Sequence, residues 1–202
     1  MRMKWLVIPF FLVSSLTSAQ EAGAFVAQAW SNNAEVEDPL GFGIYLSSNP
    51  SALLVIGISF ERFANDRTYE GYSTVFTPNP VWESINSSVR ATMWKLRLSF
   101  FPLKYDYFSF GIGSAVSANW ISISKRGVGT GNRVATEGGQ KFGVGISLLA
   151  RITPIEFLPL AVNIDGQRHF LSESTSVVTN TEMPFKRSMA ITSLSIGISY
   201  FF

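Results

Sequence analysis

Residues 193–202 read SLSIGISYFF. Leu194, Ile196, Ile198, Tyr200 and Phe202 are apolar; Ser193, Ser195, Gly197 and Ser199 between them are small, and Phe201 is the exception. A period of two is the signature of a strand, whose successive side chains point to opposite faces. This segment therefore has one broad apolar face and one narrow, weakly polar face.

The same pattern recurs toward the N-terminus. In ATMWKLRLSF, Thr92, Trp94, Leu96, Leu98 and Phe100 oppose Met93, Lys95, Arg97 and Ser99. YFSFGIGSAV sets Phe108, Phe110, Ile112 and Val116 against Ser109, Gly111, Gly113 and Ala115. KFGVGISLLARI, LPLAVNID, LLVIGISFE and LGFGIYLS repeat the alternation, while AGAFVAQAWS resists assignment of its faces. Eight strands are predicted, over 22–31, 40–48, 53–64, 91–101, 107–121, 140–152, 158–166 and 189–202. Their connections alternate between long, polar segments, among them 65–90 and 167–188, and short turns carrying Pro50, Pro102 or Pro154. Proline suits a reversal that needs no ladder donor. Short and long loops alternating through an even-stranded meander are the arrangement of a transmembrane barrel.

The first residues read MRMKWLVIPFFLVSSLTSAQ. Arg2 and Lys4 precede the apolar stretch Trp5–Val13, and Thr17 and Ala19 offer small residues for cleavage. Residues 1–19 are expected to be an export signal and residues 20–202 the barrel domain. Losing Arg2 and Lys4 leaves 14 basic against 14 acidic residues, so the basic balance of the full chain implies no nucleic-acid partner. Cysteine is absent, which excludes a disulfide scaffold and thiol chemistry. The chain is 47% apolar but only 15% charged, against about 25% charged in an ordinary soluble domain.

Alternation alone also fits a secreted soluble barrel that encloses a small apolar ligand. The composition of the polar face separates the two. A water-washed strand face would be rich in Lys, Glu and Thr, whereas here it is mostly Gly, Ser, Ala and Asn. Small residues suit the interior of a narrow eight-stranded barrel. Trp30, Phe60, Phe100, Tyr107, Trp120, Phe142 and Phe157 fall at or near strand ends, as interfacial aromatics do. The fold class expected is all-β, an eight-stranded antiparallel up-and-down transmembrane β-barrel.

The final segment resembles the C-terminal signal of bacterial outer-membrane proteins, an alternating strand ending in an aromatic residue. Leu194, Ile196, Ile198, Tyr200 and Phe202 occupy the matching positions. With eight strands and a leader, the chain looks like the small OmpA/OmpX-type barrels. That resemblance implies an outer-membrane location, lipid and the barrel assembly machinery as partners, and no cofactor. Some family members continue into a periplasmic domain, and none is expected here.

Glu61, Lys95, Arg97, Arg151 and Asp165 share the narrow face. A charge facing lipid costs about 2–4 kcal/mol at the midplane. An inward network is expected instead, with Glu61 paired to Lys95 or Arg97, which would fill the lumen. Tyr69, Tyr72, Phe76 and Trp82, in the predicted loop 65–90, are candidates for binding an extracellular ligand. His169 is the single histidine, followed by Ser172, Glu173, Ser174 and Glu182. This invites comparison with outer-membrane lipid A hydrolases, but their close His-x-Ser pair is missing, and His169 either follows the inward parity or already lies in the loop; it is read as a loop residue without catalytic role. No metal-ligand spacing occurs, and the glycine-rich GVGTGN reads as an external loop. The chain is expected not to be an enzyme.

Overall fold

The structure, a computed structural model, describes residues 20–31, 38–48, 52–72, 81–129, 133–153, 158–172 and 189–202. The predicted leader, Pro50, Pro154, Phe157 and Phe76 lie outside the described residues. Eight strands follow in chain order: β1 (Glu21–Ser31), β2 (Leu40–Ser47), β3 (Leu54–Tyr72), β4 (Trp82–Lys104), β5 (Phe108–Gly127), β6 (Arg133–Ile152), β7 (Leu160–Leu171) and β8 (Met189–Phe201). Each pairs antiparallel with its neighbours, and β8 pairs with β1 from Phe201↔Glu21 to Ile191↔Ser31, closing the ring. The terminal alternating segment is thus the strand that leaves no open edge, which a lipid-exposed sheet cannot tolerate.

Strand lengths differ greatly. β1, β2, β7 and β8 have 11, 8, 12 and 13 residues, whereas β3, β4, β5 and β6 have 19, 23, 20 and 20. A tilted strand crosses a bilayer in about 9–11 residues. The four longer strands therefore project well past the membrane, all at the end opposite the chain termini. Much of the segment expected as loop 65–90 is strand, and GVGTGN begins where β5 ends. Pro102 lies within the end of β4 rather than in the turn, at a register shift between Phe100 and Leu103. A bulge tolerates a missing donor. The reversal itself is made by Tyr105, whose amide donates to the Phe108 carbonyl at 2.7 Å.

Between the turns and the middle of the barrel, even-numbered side chains point outward and are apolar. Leu54 and Ile56 on β3, Trp94, Leu96, Leu98 and Phe100 on β4, Ile112, Val116 and Trp120 on β5, Phe142–Leu148 on β6 and Leu194–Tyr200 on β8 provide this belt, which Ser114 on β5 interrupts. Ile146 within it is 62% exposed, and a contiguous apolar belt of this size running across most of the strands is the kind of surface that meets a membrane. A soluble barrel with an apolar core and wet exterior is excluded for this half. Phe60 and Trp94 form an edge-to-face pair 4.9 Å apart, with Trp120 and Phe142 nearby in the ladder, and mark the belt's upper margin.

Candidate functional site

The odd-numbered side chains fill the lumen in three successive layers. Nearest the termini, Glu21 on β1 is fully buried. Arg151 Nη2 on β6 donates to both of its oxygens, at 2.9 and 2.7 Å. Tyr45 and Ser47 on β2 add their hydroxyls at 2.9 and 2.6 Å. Asn163 on β7 accepts from Arg151 Nε at 3.0 Å and donates to Tyr45 and Ser199, both at 2.8 Å. Five strands are tied across the lumen by one carboxylate and its neighbours. Sequence reading placed Arg151 inward but missed Glu21, because β1 also turns Phe25, Ala27 and Ala29 inward and so carries apolar residues on both faces.

The second layer holds the remaining expected charges. Lys95 Nζ on β4 donates to Glu61 Oε2 on β3 at 2.5 Å and to Gln167 Oε1 on β7 at 2.8 Å. Arg97 pairs with Asp165, not with Glu61. Gln167 Nε2 donates to Asp165 Oδ2 at 2.5 Å, joining the two pairs into one chain. His169 is on β7, not in a loop; its ring is buried in the lumen with Nε2 3.0 Å from Gln167 Oε1. Ser172 lies past the end of β7 on the opposite parity, and its hydroxyl accepts from the Phe142 amide at 3.2 Å. His169 and Ser172 are therefore not brought together; Glu173, Ser174 and Glu182 lie outside the described residues. A cavity of about 60 Å³ separates the two polar layers, bordered by Arg97, Asp165, Arg151, Asn163, Tyr45 and Phe101. It has room for a few waters.

Above these layers lies an apolar plug. Phe25, Ala27, Ala29, Phe63, Val89, Ala91, Met93, Ile121, Ile123, Leu171 and Ile191 form one buried cluster. Glycines on β2 make space for its rings: a Cβ at Gly43 would overlap Phe25, and one at Gly41 would overlap Phe63. Around this plug the outward positions are polar, with Arg62, Asp66, Thr68, Asn86 and Ser122 exposed. Arg90 donates to Asp66 at 2.7 Å and Thr68 to Asn86 at 2.7 Å. At the described tip of the β3–β4 hairpin, Tyr72 and Trp82 are cross-strand partners on the outer face, their rings 4.7 Å apart and nearly perpendicular. Tyr69 is on the other face and half-buried.

On β8, Leu194, Ile196, Ile198 and Tyr200 are exposed to the lipid side, and the Tyr200 and Phe202 rings lie 6.0 Å apart at the terminus. No arrangement of three or more His, Asp, Glu or Cys side chains suited to a metal occurs among the described residues.

A closed eight-strand ring with an outward apolar belt and a packed lumen defines a small transmembrane barrel of the bacterial outer-membrane class. No family model and no curated protein sequence matches the chain. Solved structures do. A major outer membrane protein from Thermus thermophilus is similar at a TM-score of 0.60 and 11% identity, over 91% of this chain and 100% of that one. Neisserial surface protein A is similar at 0.57 and 11%, over 90% and 96%. Ail, the attachment invasion locus protein of Yersinia pestis, is similar at 0.54 and 12%, over 91% and 99%; it has also been solved in complex with the heparin analogue sucrose octasulfate. At these identities the likeness is one of fold.

Proposed function

We propose that this chain is a non-enzymatic outer-membrane barrel whose lumen is sealed and whose projecting strands β3–β6 present a recognition surface outside the cell. The observation that carries this reading is the apolar plug beneath a water-facing wall. Phe63, Met93, Ile121 and their neighbours close the lumen where a pore would need water. The lower charge layers act as cross-barrel ties: each charge is paired, and breaking such a pair leaves an uncompensated ion in a narrow interior. Residues 1–19 serve export, and Leu194, Ile196, Ile198, Tyr200 and Phe202 are the strand read by the assembly machinery.

The recognition surface includes the Tyr72–Trp82 pair, both rings more than half exposed. Exposed aromatics on a rigid scaffold suit binding to another surface. The complex of the Yersinia protein with a sulfated sugar supplies a first probe. The test has two parts. Protein folded into planar bilayers should give no conductance steps, and calorimetry with sucrose octasulfate should show binding that a Tyr72→Ala/Trp82→Ala variant weakens. Discrete channel openings would refute the sealed lumen; binding unaffected by the double substitution would refute the assigned surface.

A further inference from the structure

The apolar wall has a gap at Gly166. This position on β7 has outward parity, and a Cβ placed on it would meet nothing within 4 Å. Across the two ladders its partners are Leu148 on β6 and Leu194 on β8, both more than half exposed. Ile164 precedes it on the same face and Arg168 follows. The wall thus contains a notch floored by glycine backbone, sided by two leucines and topped by a cation.

Arg168 is exposed on the outer wall, and no carboxylate pairs with it among the described residues. Its Cζ lies 5.5 Å from the centre of the Phe170 ring, two residues farther from the membrane centre, so the guanidinium leans toward the external side. Eight residues at about 3.3 Å rise, tilted by about 40°, carry the chain roughly 20 Å along the barrel from Leu160 to Arg168. That lies near the top of an apolar band about 25 Å tall. A long basic side chain at this level extends to the headgroup region. A guanidinium fork matches phosphate oxygens in pairs, which an ammonium does not.

We infer that Gly166, Leu148, Leu194 and Arg168 form a binding site for a phosphorylated lipid of the outer leaflet, with an acyl chain in the notch and a phosphate on the guanidinium. This rests on the membrane reading above. The two features are matched in order: the apolar gap lies deeper, and the cation lies toward the interface. A free anion would use only the second.

The test is native mass spectrometry of the full mature chain folded in detergent, titrated with lipid A bearing its phosphates and with the dephosphorylated lipid of identical acyl chains. The phosphorylated lipid should bind at least about tenfold more tightly, and Arg168→Gln should remove that preference while leaving the dephosphorylated lipid unchanged. Gly166→Leu should weaken both, and Gly166→Ala supplies a smaller filling of the notch if the larger one fails to fold. Millimolar inorganic phosphate should not displace the lipid. Equal binding by wild type and Arg168→Gln, or full displacement by inorganic phosphate, would overturn the inference. A wild-type chain showing no heat-dependent shift in gel mobility would instead overturn the barrel itself.

Discussion

On the lower part of β4, Leu96, Leu98 and Phe100 face lipid while Lys95, Arg97 and Ser99 face the lumen. Higher on the same strand, Val89, Ala91 and Met93 face the lumen while Ser88 and Arg90 face outward. The parity is unbroken, yet the chemistry of its two faces has exchanged. β5 does the same between Asn119 and Ile121, and β3 between Glu61 and Phe63. The exchange falls beside Phe60, Trp94 and Trp120, the aromatics at the upper edge of the belt. One continuous sheet is thus apolar outside in the membrane and apolar inside above it. What changes at the girdle is the solvent, and the residues on each face change with it.

This contrast can be broken from either side. The largest effect should come from the polar lumen. Lys95→Met leaves the Glu61 carboxylate buried without its cation and should cost about 3–5 kcal/mol in urea unfolding from lipid vesicles. Adding Glu61→Leu should recover most of that loss, since the replaced pair is then apolar on both sides. A single variant as stable as wild type would show the pair to be hydrated rather than enclosed.

In the plug, Met93→Ala opens a cavity and should cost about 2–5 kcal/mol by the same assay. On the outer wall, Leu96→Arg, between Ile58 and Val116 in the ladder, should destabilise the inserted barrel by about 2–4 kcal/mol, whereas Asn86→Arg, outward but above the belt, should change it by less than about 0.5 kcal/mol. Equal effects of the two arginines would remove the distinction between the regions.

The smallest effect concerns the projecting hairpin. Arg90 holds the Asp66 carboxyl below its usual range, chiefly through their hydrogen bond. The contribution is therefore present above the ordinary carboxylate pKa of about 3.9 and is lost as pH falls through the lower folded value. Both groups are exposed, so Asp66→Asn should leave the unfolding midpoint at pH 7 unchanged.

The sequence pattern was legible wherever the outer face met lipid. Leu194–Tyr200, Leu96–Phe100 and Phe142–Leu148 alternate so plainly that strand, face and closure follow from them. Legibility stopped at the girdle, because a search for apolar even positions ends at Trp94 and Phe60 although the strands continue. The signal for the extension was present in SSVRATM, where Val89, Ala91 and Met93 keep the two-residue period with the opposite polarity. The charges Glu61, Lys95, Arg97, Arg151 and Asp165 were placed inward by parity alone. Parity and adjacency also narrowed the partner of Glu61 to Lys95 or Arg97, and it is Lys95. The other partners were not legible: Arg97 meets Asp165 across the barrel, and Glu21 meets Arg151 from β1, contacts set by closure of the ring rather than by neighbouring strands.

Cysteine scanning along β4 tests the exchange of faces most directly, since the chain has no cysteine of its own. Single substitutions at residues 86–100 in the folded, lipid-embedded protein would be treated with a charged aqueous thiol reagent. Rapid modification is expected at Asn86→Cys, Ser88→Cys and Arg90→Cys. None is expected at Val89→Cys, Ala91→Cys and Met93→Cys in the plug, nor at Leu96→Cys and Leu98→Cys in lipid, where only a membrane-soluble probe should react. If Val89→Cys, Ala91→Cys and Met93→Cys were modified as fast as their exposed neighbours, the upper lumen would be water-filled and the account of a sealed barrel contradicted.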